Sequence, residues 1–278
     1  MKLFKNILVW IFAVILTGAV LVYQRTTGPT YPKRGKVEMG NEKISYRLIR
    51  TWENEKEEKD RKGARVGVEV PGPAYTGEVK YKRLGTNDEW TMLDMQRDGN
   101  ELFVMLPEQP AAGKLQYYVT LTDGANTITL TEDPVVIRFK SHIPDWIPPP
   151  HVLLIFTALL FSTMTAVEAL RRGKRVFIYA TLTVIAMLIG GMIMGPMMQK
   201  HAFGAYWTGW PFGGDMTDNK TLVAFVMWVI AFFVLRKNPK NRFWPVFAAI
   251  ITIAVFVIPH SILGSQFDYS AGEVVTGR

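Results

Sequence analysis

The chain contains no cysteine, which removes disulfide frameworks, thiolate metal sites and thiol nucleophiles together. Histidine is also scarce, at four in 278 residues. There is no phosphate loop, no H-E-x-x-H pair and no nucleophile elbow, and no dense acid pair occurs outside one charged run, so a non-enzymatic role is expected. The long apolar runs lack the several buried charges of an ion pump or proton-coupled carrier. Acidic residues are missing from three short segments that carry most of the excess positive charge: Lys2 and Lys5; Arg171, Arg172, Lys174 and Arg175; and Arg236, Lys237, Lys240 and Arg242. Each adjoins an apolar run, so the formal charge of +8 is a signal of membrane orientation and nucleic-acid binding is excluded.

Two compositional regimes are present. Residues 24–148 hold 19 Lys+Arg against 19 Asp+Glu, and most of the remainder is apolar. Ile7 to Tyr23 reads as an N-terminal anchor or a signal peptide; no small-x-small cleavage site follows it, which favours the anchor. Four further spans are expected, at about 152–170, 176–199, 221–235 and 243–262. The fourth span is short, with 14 continuous apolar residues from Leu222 to Leu235. Alternating spans put the three basic segments on one side, so the amino terminus is expected in the cytoplasm and the carboxyl terminus outside a bacterial inner membrane. Glu168, the one acid inside a span, is expected to pair with Arg171 or Arg172.

Between the first two spans, residues 24–142 alternate with period two, as in Val66/Val68/Val70, Leu102/Val104/Leu106 and Leu115/Tyr117/Val119/Leu121, with turn residues between. This is the pattern of a small β-sandwich. The run Glu53 to Arg65 is expected to be a solvated loop. Ile143 to Pro150, IPDWIPPP, is expected to form a stiff extended neck with Trp146 at headgroup level. Residues 151–262 then form a four-helix membrane domain with an outer aromatic loop at 200–220, and 263–278 an extracytoplasmic tail. The fold class is thus an all-α membrane bundle of about five transmembrane helices with an inserted all-β extracytoplasmic domain. Within that domain AAGKLQYYVTLTDG (111–124) resembles the late strands of fibronectin type III and other immunoglobulin-like domains. The resemblance spans residues 36–140 and implies architecture without an activity.

Under this topology His142, His151, His201 and His260 all lie outside, three of them at the ends of different spans. Beside His201 runs HAFGAYWTGWPFGGDMTDNKT (201–221), with five aromatics in the ten residues from Phe203 to Phe212. An interfacial aromatic belt needs neither the interleaved glycines nor Asp215 and Asp218, whereas flat rings beside a histidine suit a planar macrocycle. The segment resembles the tryptophan-rich WWD loop of haem-handling membrane proteins in cytochrome c maturation. Phe203-Gly204 stands for the family's W-G, Trp207 and Trp210 for its later tryptophans after one extra residue, and Asp218-Asn219-Lys220-Thr221 for its trailing D-x-K-x-T. The resemblance implies haem held by His201 and His260, with His151 as a further ligand and Trp207 and Trp210 as stacking surfaces.

A second reading uses sulfur. Met194, Met197 and Met198, near His201, offer soft ligands for copper, in a spacing similar to that of copper-transporting membrane proteins. Gly191 and Gly195 form a G-x-x-x-G face suited to close helix contact. The functional expectation is binding or delivery of a redox cofactor, haem before copper, to an extracytoplasmic or respiratory partner. The alternative is an accessory subunit of a larger electron-transfer membrane complex with no cofactor of its own.

Overall fold

The computed structural model describes residues 2–54, 63–260 and 262–276. It divides into two compact units: Met1–Pro29 with Ile143–Gly264, which is helical, and Thr30–His142 with Ser265–Thr276, which is β-structured. Residues 55–62, the centre of the run expected as a solvated loop, lie outside the described residues.

Five helices occur among the described residues of the first unit: α1 (Lys2–Thr27), α2 (Pro148–Leu170), α3 (Val176–Phe203), α4 (Met216–Lys237) and α5 (Phe243–Val257). The first four are long and apolar enough to cross a membrane; α5 is shorter. Small residues let the axes approach closely, with Ala158, Ala180, Ala224, Ala231, Ala248 and Ala249 all in the shared core. Trp228 is fully buried there and its indole donates to Thr252 Oγ1 at 2.8 Å, which satisfies both polar groups in an apolar interior. Outward faces stay apolar, as at Ile11, Phe12, Ile15, Ile178 and Phe233, a surface suited to lipid.

Several boundaries differ from the sequence expectation. The fourth helix starts at Met216 because Asp215 caps it, accepting from Thr217 N at 2.8 Å; the polar turn Thr217–Thr221 is therefore helical, and the span reaches 22 residues. The last helix stops at Val257, where Ile258 is extended ahead of Pro259, since a residue before proline is pushed out of the α region. The prolines of the supposed neck open α2 instead of extending the chain. A first helical turn has no intrahelical use for its N–H groups, so proline costs nothing there. At the opposite end of α2, Glu168 does not pair with Arg171 or Arg172. Its Oε1 accepts from Arg175 N at 3.3 Å and closes the turn, while Arg171 donates to Asn6 Oδ1 at 3.0 Å.

The β unit contains a six-stranded sheet in the order β3 (Thr51–Asn54), β11 (Val135–Ser141), β9 (Lys114–Thr122), β5 (Thr76–Arg83) and β6 (Thr91–Asp94), with β10 (Thr127–Thr129) also on β9. A three-stranded sheet runs β4 (Ala64–Glu69), β8 (Glu101–Leu106), β7 (Gln96–Asp98), and β1 (Lys33–Met39) pairs with β2 (Glu42–Leu48). Alternate residues point inward: Val66 and Val68 from β4, Leu102, Val104 and Leu106 from β8, and Leu115, Tyr117, Val119 and Leu121 from β9 share one core. The buried Tyr117 hydroxyl donates to Ile49 O at 2.8 Å.

Within the expected C-terminal tail, residues 265–276 are structured. They form a hairpin, β12 (Gln266–Asp268) and β13 (Glu273–Val275), that belongs to the β unit. Tyr269 Oη donates to Gln109 Oε1 at 3.0 Å and accepts from Lys114 N at 3.2 Å, while Arg138 Nη2 donates to Ser265 O at 2.9 Å. Beneath it, burial and then the Arg138 charge push the Lys114 ammonium down to about 8. The folded value lies below the ordinary 10.5, so stability falls as pH drops from 10.5 towards 8 and this contribution is flat below that. Lys114→Met is expected to stabilise the β unit near neutral pH by about 2 kcal/mol, after discounting for partial exposure. It should also flatten the alkaline stability profile, read by urea unfolding of the whole chain; an unchanged profile would contradict this account.

Candidate functional site

The ends of α3 and α4 are joined by the aromatic loop, which is held by polar residues of the helix that follows it. Helix α3 closes on Gly204 in the left-handed region, φ 88°, a conformation glycine adopts without strain. Asp218, only 5% exposed, turns its Oδ2 back to accept from Thr208 N at 2.7 Å, Gly209 N at 3.0 Å and Thr208 Oγ1 at 3.3 Å. Asp215 Oδ2 also accepts from Thr208 Oγ1, at 3.2 Å, and the Gln199 amide donates to the same hydroxyl. Asn219 Oδ1 accepts from Trp210 N at 2.6 Å. Gly209 packs against this turn so closely that a Cβ would lie 2.6 Å from Asp218 Cβ and 2.7 Å from Asn219 Oδ1. The glycine permits close approach, and the two aspartates belong to the scaffold of the loop.

The rings on this scaffold have different roles. Trp207 is half-buried and its Nε1 donates to Trp210 O at 3.0 Å, bracing the loop internally. Trp210 is 69% exposed, and Tyr206 and Phe212 are exposed beside it in sequence. Phe203 instead packs with Met194, Met198, Ile143, Ile147 and Ala202 in an apolar cluster.

The expected ligands are brought together only in part. His151, in the first turn of α2, is half-buried, and its Nδ1 lies 2.8 Å from Gly190 O. A carbonyl only accepts, so Nδ1 carries the proton and Nε2 of the neutral ring keeps its lone pair. Gly190 sits in the segment of α3 from Met187 to Met194 that runs as a π-helix. His260, beyond α5, follows Ile258, whose carbonyl accepts from Lys220 Nζ of α4 and Gln24 Nε2 of α1, so α1, α4 and the segment after α5 meet at one end of the unit. His201 is exposed on the last turn of α3. The fourth histidine, His142, belongs to the β unit, where Nδ1 pairs with Glu53 Oε1 at 2.9 Å.

The sulfur and glycine expectations are altered by packing. Met194 and Met198 are absorbed by the apolar cluster described above; Met197 is not part of it. Among the described residues no three His, Asp or Glu side chains converge as a metal cage. The tight helix contact falls on Gly190 and Gly191. A Cβ on Gly190 would lie 2.6 Å from Leu154 Cβ and one on Gly191 2.9 Å from Thr221 Cγ2, whereas one on Gly195 would meet nothing nearer than His151 Cε1 at 3.8 Å. The π segment shifts the helix faces, so a spacing rule drawn for a regular helix misplaces the contact.

Sequence reasoning missed Lys220 as a site residue. It is 3% exposed and its Nζ donates to Ile258 O at 2.8 Å, an acceptor shared with Gln24 Nε2 at 3.4 Å. Its position just before the apolar run Leu222–Leu235 was the available signal. No protein-family model, curated protein or solved structure matches the chain.

Proposed function

We propose that this is a non-enzymatic membrane protein that binds, and helps deliver, a redox cofactor at the end of its helical unit, haem in preference to copper. The observation that carries this reading is the His151 ring, fixed through Nδ1 to the Gly190 carbonyl with Nε2 open. Metal-ligating imidazoles are oriented in this way by a backbone acceptor on the other nitrogen. A porphyrin supplies four of the ligands to its iron, so one or two imidazoles suffice. A bare copper ion needs more protein donors, and two of the three methionines offered for it are engaged in packing. The exposed ring of Trp210 suits stacking on a planar ligand. The oriented His151 is taken as one ligand, with His260 or His201 as the second.

The basic segments adjoin the opposite ends of the helices, which supports a cytoplasmic location for those ends and an extracytoplasmic one for the loop, the histidines and the β unit in a bacterial inner membrane. In the β unit, β4–β8 against β11–β9–β5 with β3 parallel to β11 supports the immunoglobulin-like assignment. Its role in this reading is to recruit the partner that receives the cofactor.

Optical spectra of the detergent-purified protein supplemented with haem test the proposal. The wild type is expected to give a shifted Soret band and sharp reduced α/β bands. His151→Ala should lose or shift them, and of His260→Ala and His201→Ala the one that removes the second ligand should do the same. The exposed rings of Tyr206, Trp210 and Phe212 favour one other reading, an accessory subunit docking on a larger complex. A featureless wild-type spectrum together with stoichiometric co-purifying partners would establish that reading instead.

A further inference from the structure

We infer that the outer face of the β1–β2 hairpin docks on anionic lipid headgroups through Arg34, Lys36 and Arg47. The inference goes beyond the cofactor reading and does not depend on it. Alternation along the hairpin sends one set of side chains inward, where Met39, Ile44 and Leu48 join the core and Val37 and Tyr46 pack against it. The other face carries Arg34 and Lys36 from β1 and Arg47 from β2, all exposed. The register sets Arg34 directly opposite Arg47, and like charges in that relation destabilise a strand pair. Among the described residues none of these three cations has a salt bridge, whereas Lys43, further along the same face, is paired with Glu38 at 3.0 Å. Residues 55–62, outside the described part, hold four acids and four bases and bring no net charge to offset the face.

Chain length sets what that face can reach. The first candidate span runs to Thr27 and β1 opens at Lys33, so even with the joining residues fully extended the hairpin begins within about 20 Å of the end of the span. Tyr31 in that join has the Arg34 guanidinium 5.6 Å from its ring centroid, and tyrosine concentrates at headgroup level. A basic residue held close to an anionic leaflet favours the bound state by about 5-fold. Guanidinium groups also match phosphate oxygens with two parallel N–H donors. Charge complementarity and the short tether together select a lipid surface of net negative charge as the occupant.

The test uses the full chain in nanodiscs of phosphatidylcholine alone or mixed with phosphatidylglycerol. The chain has no cysteine, so Ser45→Cys, exposed on the same face opposite Lys36, takes a single environment-sensitive fluorophore. Its emission is expected to shift to the blue only in the phosphatidylglycerol discs, and to return at about 1 M salt, where charges are screened beyond about 3 Å. Arg34→Gln combined with Arg47→Gln should lower the ratio of docked to free hairpin by about 30-fold, and Lys43→Gln should leave it unchanged. Arg47→Glu places opposite charges across the strand pair, which favours the hairpin, and should still abolish the lipid response, so a folding defect cannot imitate the result. Equal emission in the two kinds of disc, or a shift that survives the arginine substitutions, would overturn the inference. A response to polyglutamate in phosphatidylcholine discs without one to phosphatidylglycerol would also overturn it and assign the face to an acidic protein partner.

Discussion

Asp218→Ala is expected to release the aromatic loop and cost the helical unit about 3–5 kcal/mol. The carboxylate accepts from two backbone amides and one hydroxyl. Truncation leaves Thr208 N and Gly209 N without that acceptor in a place where both residues are buried, and each unsatisfied buried donor costs about 1–3 kcal/mol. Asp218→Asn keeps one oxygen for the two amides while losing the charge, so a loss of only about 1–2 kcal/mol is expected. Hydrogen exchange reads the difference directly. The amides of residues 208–210 should lose protection in the alanine variant and keep most of it in the asparagine variant, and proteolytic cleavage within 204–215 should follow the same order. Protection unchanged in Asp218→Ala would show that the loop is held by other contacts.

Gly190→Val should have the second large effect, on stability and on the site together. The added Cβ meets Leu154 Cβ at 2.6 Å and the main-chain nitrogen of Ile155 at 3.3 Å. The backbone of α2 cannot swing aside as a long side chain can, so the helices must separate. Overpacking of this kind costs about 3 kcal/mol, and it draws the Gly190 carbonyl away from His151. Loss of that orienting bond should weaken ligand binding through His151 by about 10- to 100-fold. Gly195→Ala is the matched control, because nothing lies closer than 3.8 Å to its Cβ, and its effect should stay within about 0.5 kcal/mol. Thermal unfolding in detergent and haem titration of both variants check the pair. Equal destabilisation at the two positions would show that Gly195 also lies in the helix contact.

Much of the architecture follows from local pattern. Apolar runs longer than about 17 residues form helices of spanning length, and period-two alternation such as Leu115/Tyr117/Val119/Leu121 forms strands with one buried face. The segregation of charge along the chain likewise separates the two units. Those features depend on neighbours within a few residues, and a single chain displays them without ambiguity. Boundaries were less legible where a cap or a proline decides, as at Asp215 for α4 and at Pro148 to Pro150 for α2.

The site required contacts between distant positions. The WTGWPFGGD segment (207–215) announces an unusual loop, yet nothing local says that Asp218 and Asn219 reach back to the amides of residues 208–210. His151 and Gly190 stand 39 residues apart and Lys220 and Ile258 38, and they meet because antiparallel helices return the chain to the same end. The terminal hairpin, expected only as an extracytoplasmic tail, finds acceptors and donors on strands more than 120 residues away. Amino-acid order specified the elements and their polarity through short-range sterics and burial. The partners of its buried charges arose from packing, because a hydrogen bond depends on where two side chains finish in space.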